Sequence, residues 1–355
     1  MAVFAGGRVY RAGPFLSDKD RGMLTIAELM ASIAILEERG ELNQLDESAY
    51  PPEGAINWLY GLTAGFYFNN AHKLEIREAA LELAERYYDA VEGRINLLSR
   101  DGRGKQIMSA EDIRRFLTEG LYAEKYLQNM ETMSFYIRHM PQDLLRTTDP
   151  VHEYLTCLLP SEKYHGGGGN LMYQTRLAEL DRNPAGVIGA FVDACQALNV
   201  FYAVSGIALL FYSYTSGAPA RAYPLYRRFP GFLYEDGVNF GLEITRRTDV
   251  IRDVNWLTAV NDELLERAGG IEKAHVIAGG EVLLHPYKGG VVFQAGERPH
   301  LGDINKGKIP EAYRAVDEFL REVSYEEWEY PYLGVPDDVD AMAFTEEWSR
   351  RFERE

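Results

Sequence analysis

The chain has 355 residues and a formal net charge of −17, with 46% hydrophobic and 26% charged residues. These values are typical of a folded protein that is long enough for one large domain or two ordinary ones, and they exclude wholesale disorder. The acidic balance disfavours nucleic acid and anionic membranes as partners and favours basic ones, although many cytosolic proteins are acidic for solubility alone.

Cysteine content and hydropathy indicate the compartment. Cys157 and Cys195 are the whole cysteine content, which is too little for a disulfide framework or a cysteine metal site, so we expect a reducing compartment. The N-terminal stretch MAVFAGGRVYRAGPF lacks the uninterrupted apolar core of a signal peptide. The longest apolar run, Val200–Tyr212, is too short to cross a membrane. The sequence therefore predicts a soluble cytoplasmic protein.

Residues 1–53 are predicted to form an N-terminal extension with one helix. Thr25 and Glu28 have the spacing of a capping box, in which each side chain satisfies a backbone N–H group of the first helical turn. The helix is expected to continue to about Glu38 and to stop at Gly40. An α+β domain is expected over residues 54–355.

The first lobe of this domain is expected at about residues 54–150. It begins with an aromatic, β-prone stretch at Ile56–Phe68. Asn69-Asn70 are predicted to cap a helix over Lys73–Val91, and a strand at Ile95–Leu98 would close a β-α-β segment. The other predicted elements of this lobe are a helix capped by Ser109 that runs to about Glu119 and a strand at Phe135–Ile137.

The second lobe is expected at about residues 151–320. Its predicted elements are strands at Tyr154–Leu159 and Val200–Phe211, a helix at Gly186–Ala197, a hairpin of Val282–Leu284 with Val291–Phe293, and a helix opened by Pro310. A loop at Tyr164–Asn170 contains four glycines, which could let a partner approach the backbone closely, but a plain linker is favoured. The fold class predicted is α+β, with helices packed on an antiparallel or mixed sheet and two lobes in one large domain.

Two motifs resemble functional signatures without completing them. Gly302–Lys308 matches the phosphate-binding pattern G-x-x-x-x-G-K, but Ile309 stands where Ser or Thr should hold magnesium, and Pro310 removes a backbone donor. An ordinary glycine-rich loop is favoured. The run from His152 begins like a zinc-protease motif, but Thr156 replaces the second histidine. The sequence therefore predicts no enzyme, no catalytic residue, no cofactor and no metal.

The C-terminal stretch, residues 322–355, is the acidic-aromatic tail. It contains 11 acidic residues and 3 arginines, so it contributes −8 of the net charge, and it also carries two tryptophans. Aromatic anchors surrounded by carboxylates suit a basic protein surface. The alternative is that the aromatic side chains pack on the core of this protein while the carboxylates face solvent. The six arginines of residues 221–252 are the one basic cluster, and we expect them to pair with the acidic excess within the chain.

Several phrases resemble a known family. They are GLTAGFYFNNAHKLEIREAALELAERYYDAV (61–91), YPLYRRFPGFLYEDGVNFGLEI (223–244), DVNWLTAVNDELLERAGG (253–270), GGVVFQAGERPHLGDINKGKIPEAYRAVDEFL (289–320) and YLGVPDDVDA (332–341). They resemble bacterial type VI secretion immunity proteins, a family long known only as a domain of unknown function. The resemblance covers most of residues 54–350. It implies an α+β protein that neutralises a cognate toxin, in some members a nuclease of restriction-endonuclease fold.

The predicted function is that of a cytoplasmic immunity protein, which binds a basic surface of a cytoplasm-acting toxin, such as a nuclease, in a stoichiometric complex. It would contact neither nucleic acid nor membrane directly, and a homodimer is possible. The partner-binding residues predicted in the tail are Glu326, Glu327, Trp328, Glu329, Tyr330, Asp337, Asp338 and Asp340. The alternative function is an enzyme that binds a phosphorylated ligand at the Gly302–Lys308 loop.

Overall fold

The computed structural model describes residues 2–3, 9–10, 25–47, 58–123, 125, 131–140, 150–163, 167–211, 218–234, 247–278 and 280–353. Residues 164–166 of the predicted glycine-rich loop and Arg246 of the basic cluster lie outside these residues. None of the described helices is long and apolar enough to cross a membrane.

Ten antiparallel strands form one sheet. They are β3 (Leu59–Phe68), β4 (Leu97–Arg100), β5 (Arg103–Gln106), β6 (Met133–Arg138), β7 (Tyr154–Leu159), β8 (Gly169–Thr175), β9 (Val200–Leu210), β10 (Leu257–Asn261), β11 (Val282–Tyr287) and β12 (Gly290–Ala295). Their order is β11-β12-β10-β9-β3-β8-β7-β6-β4-β5, and every neighbouring pair is antiparallel. A separate pairing joins β1 (Ala2–Val3) to β2 (Val9–Tyr10). The predicted α+β class with an antiparallel sheet is confirmed.

Ten α-helices are present in the described part of the chain. They are α1 (Ile26–Arg39), α2 (Leu74–Ala90), α3 (Ala110–Leu121), α4 (Leu177–Arg182), α5 (Pro184–Leu198), α6 (Ala218–Arg228), α7 (Asp262–Ala268), α8 (Gly270–Ile277), α9 (Glu311–Leu320) and α10 (Ala341–Ser349). Short 3₁₀ helices occur at Leu42–Glu47, Ile304–Lys306 and Arg321–Val323.

Helices cover both faces of the sheet. On one face, Phe191 of α5 packs against Phe66 of β3, with the ring centroids 5.1 Å apart. On the other face, Phe319 of α9 packs against Phe293 of β12, with centroids 5.4 Å apart. Phe66 of β3 is aligned, across β9 and β10, with Val292 of β12, so these two side chains point to the same face of the sheet. Phe293 is the next residue along β12 and therefore points to the opposite face.

The two central strands, β3 and β9, are buried along their whole length. Their sequences are accordingly largely apolar on both faces, which explains the long apolar run at the strand predicted for Val200–Phe211. Gly206 of β9 lies beside the side chain of Asn255, whose Oδ1 would be 1.9 Å from a Cβ atom at that position. A side chain at residue 206 would therefore displace Asn255, whose Nδ2 donates to the Gly231 carbonyl over 3.1 Å.

The predicted helix boundaries are mostly confirmed. The side chain of Thr25 accepts from the N–H of Glu28, the carboxylate of Glu28 accepts from the N–H of Thr25, and Gly40 ends α1 in the left-handed conformation. One prediction is wrong: α2 starts after Lys73, which makes no side-chain cap, and Asn69-Asn70 do not cap it. Asn70 instead adopts a left-handed turn with φ of 60°, so its side chain is not placed at the helix start.

The strand predicted at Ile95–Leu98 is β4, which starts at Leu97. It lies four positions from β3 in the sheet, because β8, β7 and β6 lie between them. The connection from β3 through α2 to β4 therefore spans three strands that come after β4 in the sequence. The predicted hairpin near the C-terminus is confirmed as β11 and β12.

Candidate partner-binding surface

In the acidic-aromatic tail, most aromatic side chains are buried and most acidic side chains are exposed. After α9, Ser324 bridges to Ile251, and the chain runs without regular structure to Asp340, which caps α10 through hydrogen bonds from Met342 N and Ala343 N. The aromatic residues buried along this path are Tyr325, Tyr332, Phe344, Trp348 and Phe352. The tail is thus anchored to the body of the protein by its rings.

Seven of the eight predicted partner-binding residues are exposed: Glu326, Glu327, Glu329, Tyr330, Asp337, Asp338 and Asp340. Trp328 is half-buried between Tyr325 and Tyr332, with centroid distances of 4.9 and 5.4 Å. Tyr330 is 65% exposed, which makes it the one large aromatic of the tail that points outward among the described residues. The surface that the tail offers is therefore acidic, with a single aromatic side chain projecting from it.

The position of the tail is fixed by Arg351, which sequence reasoning did not single out. Its guanidinium binds both carboxylate oxygens of Asp253 at 2.7 and 2.9 Å and donates to the Pro230 carbonyl over 2.7 Å. It also lies over the rings of Trp348 and Phe352, at 4.1 and 4.3 Å from their centroids. The tail is held by an ion pair and by stacking at the same point.

A buried carboxylate lies close to this anchor. Burial raises the pKa of Asp317 on α9 to about 6, and the neighbouring guanidinium groups of Arg321 and Arg351 offset only part of that effect. Arg321 also binds Glu353 near the end of the described chain. The charges behind the tail are therefore arranged as alternating carboxylates and guanidinium groups.

Arginines of the predicted basic cluster pair with carboxylates of the same chain, as expected. Arg227 lies 3.2 Å from Glu347, and Arg247 lies 3.1 Å from Asp249 and 3.4 Å from Glu327. Two of these partners, Glu327 and Glu347, belong to the tail. The basic cluster thus neutralises part of the acidic surface.

The Gly302–Lys308 loop binds a carboxylate from the N-terminal extension. The Oε1 atom of Glu37 accepts hydrogen bonds from the N–H groups of Leu301 and Gly302, at 3.0 and 3.2 Å. Glu38 pairs with Lys306 at 2.7 Å and lies 3.6 Å from Lys308. The N–H of Gly302 and the side chain of Lys306, two groups that a phosphate would use, therefore bind carboxylates of α1.

The histidine and carboxylate of the incomplete zinc-protease motif have structural partners. His152 lies 3.1 Å from the Tyr60 carbonyl, and burial lowers its pKa to about 4. Glu153 is buried and pairs with Arg94 at 3.1 Å and Arg176 at 2.9 Å. Within the described residues, no group of three or more His, Cys, Asp or Glu side chains is placed to hold a metal ion.

Comparisons with known proteins support the resemblance seen in the sequence. The model of a family described as type VI immunity for VRR-NUC, TsiV, matches residues 180–352. A solved structure described as the Pseudomonas aeruginosa T6SS protein PA0821 matches with a TM-score of 0.70 and 19% sequence identity, over 91% of each chain. No protein of curated function matches the chain. The predicted resemblance to type VI secretion immunity proteins is confirmed.

Proposed function

We propose that this chain, whose residues 180–352 match the model of the type VI immunity family for VRR-NUC, binds and neutralises a cognate VRR-NUC nuclease toxin in the cytoplasm. The observation that carries the proposal is this family match. An immunity family points to protein binding without catalysis. Inhibition then requires one immunity protein for each toxin molecule that is blocked.

The toxin-binding surface in this proposal is the exposed part of the acidic-aromatic tail. A nuclease binds the phosphate backbone with basic side chains, so the surface that it must use is positively charged. The exposed carboxylates around Tyr330 offer the complementary charge. Because buried rings and Arg351 hold the tail in place, its carboxylates are positioned before the partner arrives, which lowers the entropy lost on binding.

The cytoplasmic location is supported by the state of the cysteines. Cys157 and Cys195 are both free and buried, and burial raises the pKa of both thiols. Such thiols are typical of proteins that stay in a reducing compartment. A toxin that cleaves nucleic acid must also be met there, because its substrate lies in the cytoplasm.

The alternative of an enzyme with a phosphorylated ligand at Gly302–Lys308 has less support. Glu37 and Glu38 already satisfy Leu301, Gly302 and the two lysines of the loop. A phosphate would have to compete with the carboxylates of Glu37 and Glu38 for these donors. The loop therefore serves the attachment of the N-terminal extension.

The test is a titration of nuclease activity. The proposed partner, a VRR-NUC nuclease domain, is assayed on DNA while the immunity protein is added in increasing amounts. We expect activity to fall linearly to zero at about one equivalent when both proteins are far above their dissociation constant. Complete inhibition by a small fraction of an equivalent over many turnovers would overturn the binding mechanism, and the absence of any inhibition would overturn the proposed partner.

A further inference from the structure

A cleft of about 360 Å³ lies between α2 and α5, on the face of the sheet that these helices cover. Its floor is formed by Leu155 and Leu171 of the sheet. Its walls are lined mainly by apolar side chains, among them Leu83, Tyr87 and Ala90 of α2 and Val187, Ala190 and Ala194 of α5. The two helices thus leave part of the apolar face of the sheet uncovered.

Helix α5 extends the apolar character beyond the cleft. Asp193 is its one charged residue among fifteen, in a chain in which 26% of residues are charged. Its exposed residues include Ala185, Gly186, Gly189, Ala190 and Ala197. Side chains of this size allow a second helix to approach closely, since the distance between packed helices depends on the residues at the contact.

The rim of the cleft carries opposite charges on its two walls. Arg86 on α2 and Asp193 on α5 are 63% and 71% exposed, and Arg86 Nη1 lies 3.9 Å from Asp193 Oδ2. An exposed pair at this distance contributes little within one chain. Farther along, Arg182 pairs with Glu92 at 2.6 Å, so this rim is close to neutral.

We propose that this cleft, together with the outer face of α5, is the contact surface for a second copy of this chain. In a twofold arrangement each α5 lies along the cleft of the other copy, and Asp193 of each copy faces Arg86 of the other. The contact surface is self-complementary in charge, as such an arrangement requires.

The distribution of charge also favours a second copy of this chain over other occupants of the cleft. Two chains that each carry −17 repel one another, so they meet most readily where the surface is locally neutral. A basic toxin is instead attracted to the acidic tail, which shares no residue with the cleft. A small apolar molecule would fill the cleft but would leave the outer face of α5, where Asp193 is the one charged residue, exposed. The second copy covers both features.

The experiment is sedimentation velocity on the full chain from about 1 µM to about 100 µM, a range in which contacts of micromolar strength are populated. We expect the mass to rise from 40.2 kDa toward twice that value. Ala190→Arg places a charge on the cleft wall and should weaken association at least about tenfold. Ala31→Arg, at an exposed alanine of α1, is the matched control and should leave association unchanged.

Charge reversal separates this arrangement from general damage to the surface. Arg86→Asp and Asp193→Arg should each weaken association, because each sets like charges opposite one another across the twofold axis. The double variant should restore association. A monomer at every concentration would overturn the proposal, as would a dimer that Ala190→Arg leaves intact. A monomer in which Ala190→Arg abolishes toxin binding would assign the cleft to the toxin instead. The nuclease titration is independent of all these outcomes.

Discussion

Arg351 and Asp253 are joined by a buried ion pair that links the end of the chain to the segment leading into β10. Their side chains are only 5% and 7% exposed. The same guanidinium caps the Pro230 carbonyl and stacks on two tail rings. Loss of either charge would leave the other buried without its partner, which costs more than the pair contributes when intact.

Arg351→Met should therefore destabilise the protein by about 3–5 kcal/mol, the range found when one partner of a buried ion pair is removed. Urea unfolding measures the change. Arg350→Met is the matched control, because Arg350 is 61% exposed and lies 4.0 Å from Glu353. A loss no larger than that of the control would contradict the role of Arg351 as the anchor of the tail.

Local signals made much of the fold predictable. Thr25, Glu28 and Gly40 gave the limits of α1 because capping depends on residues close in sequence. The cap expected from Asn69-Asn70 failed, since a turn with positive φ at Asn70 competes with capping. The strand order had no local signal, because β8 pairs with β3 across more than a hundred residues of chain.

The candidate surface was predictable in part. The number of acidic residues in the tail was enough to predict an exposed acidic surface. The positions of the aromatic residues in the sequence did not show which of their rings are buried. Trp328 is half-buried and Tyr330 is exposed, although they are two residues apart. Arg351 gave no signal because its partner Asp253 is distant in sequence. The contact between Glu37 and the Gly302–Lys308 loop had no local signal in the sequence, because the two lie more than 260 residues apart.

Asp317 should make the folded protein less stable as pH rises, whereas most carboxyl groups of a folded protein have the opposite effect. Its pKa in the folded protein is raised to about 6 by burial, above the ordinary value of about 3.9. Between these values the folded state holds more protons than the unfolded state, so this group stabilises the fold increasingly as pH falls through about 6. Asp317→Asn cannot titrate, so the variant should gain stability relative to the parent as pH rises from about 4 to about 7.

Urea unfolding across that pH range tests the sign. Glu318→Gln, at an exposed neighbour on the same helix, is the control and should run parallel to the parent. Parallel curves for Asp317→Asn and the parent would show that Asp317 does not titrate near pH 6 in the folded protein.

The docking of α1 should weaken as pH rises above the ordinary histidine range. The hydrogen bond to Glu37 raises the pKa of His300, against a smaller opposing effect of burial. A raised pKa means that the contact is fully present below about 6.5, the ordinary value, and is lost as pH rises through the raised one. Deuterium uptake by residues 26–39, relative to uptake by α2, should therefore be greater at pH about 8 than at about 6.

Glu37→Gln should remove this pH dependence, since His300 then has no carboxylate partner at that position. Glu38→Gln is the control, because Glu38 pairs with Lys306 and should leave the pH dependence in place. An unchanged pH response in Glu37→Gln would mean that another group controls the docking of α1.

The exposed carboxylates of the tail should govern the rate at which the toxin is captured. The tail carries −8 in 34 residues, whereas the remaining 321 residues carry −9, so its field is the stronger one. Replacing Glu326, Glu327 and Glu329 by Gln should slow association and flatten its salt dependence, because charges at the edge of an interface act mainly on the association rate. Surface plasmon resonance at low and high salt measures both effects.

Tyr330→Ala should instead raise the dissociation rate, and it should weaken the binding free energy by about 2 kcal/mol if the ring is buried in the complex. Tyr330 is suited to this test because it is exposed, whereas Trp328 packs on the protein itself and its loss would also affect folding.

The matched charge control for the Glu326, Glu327 and Glu329 variant is the triple variant with Gln at the exposed residues Glu263, Glu266 and Glu272. If both triple variants slow association equally, the toxin senses only the total charge of the chain and its contact surface lies outside the tail.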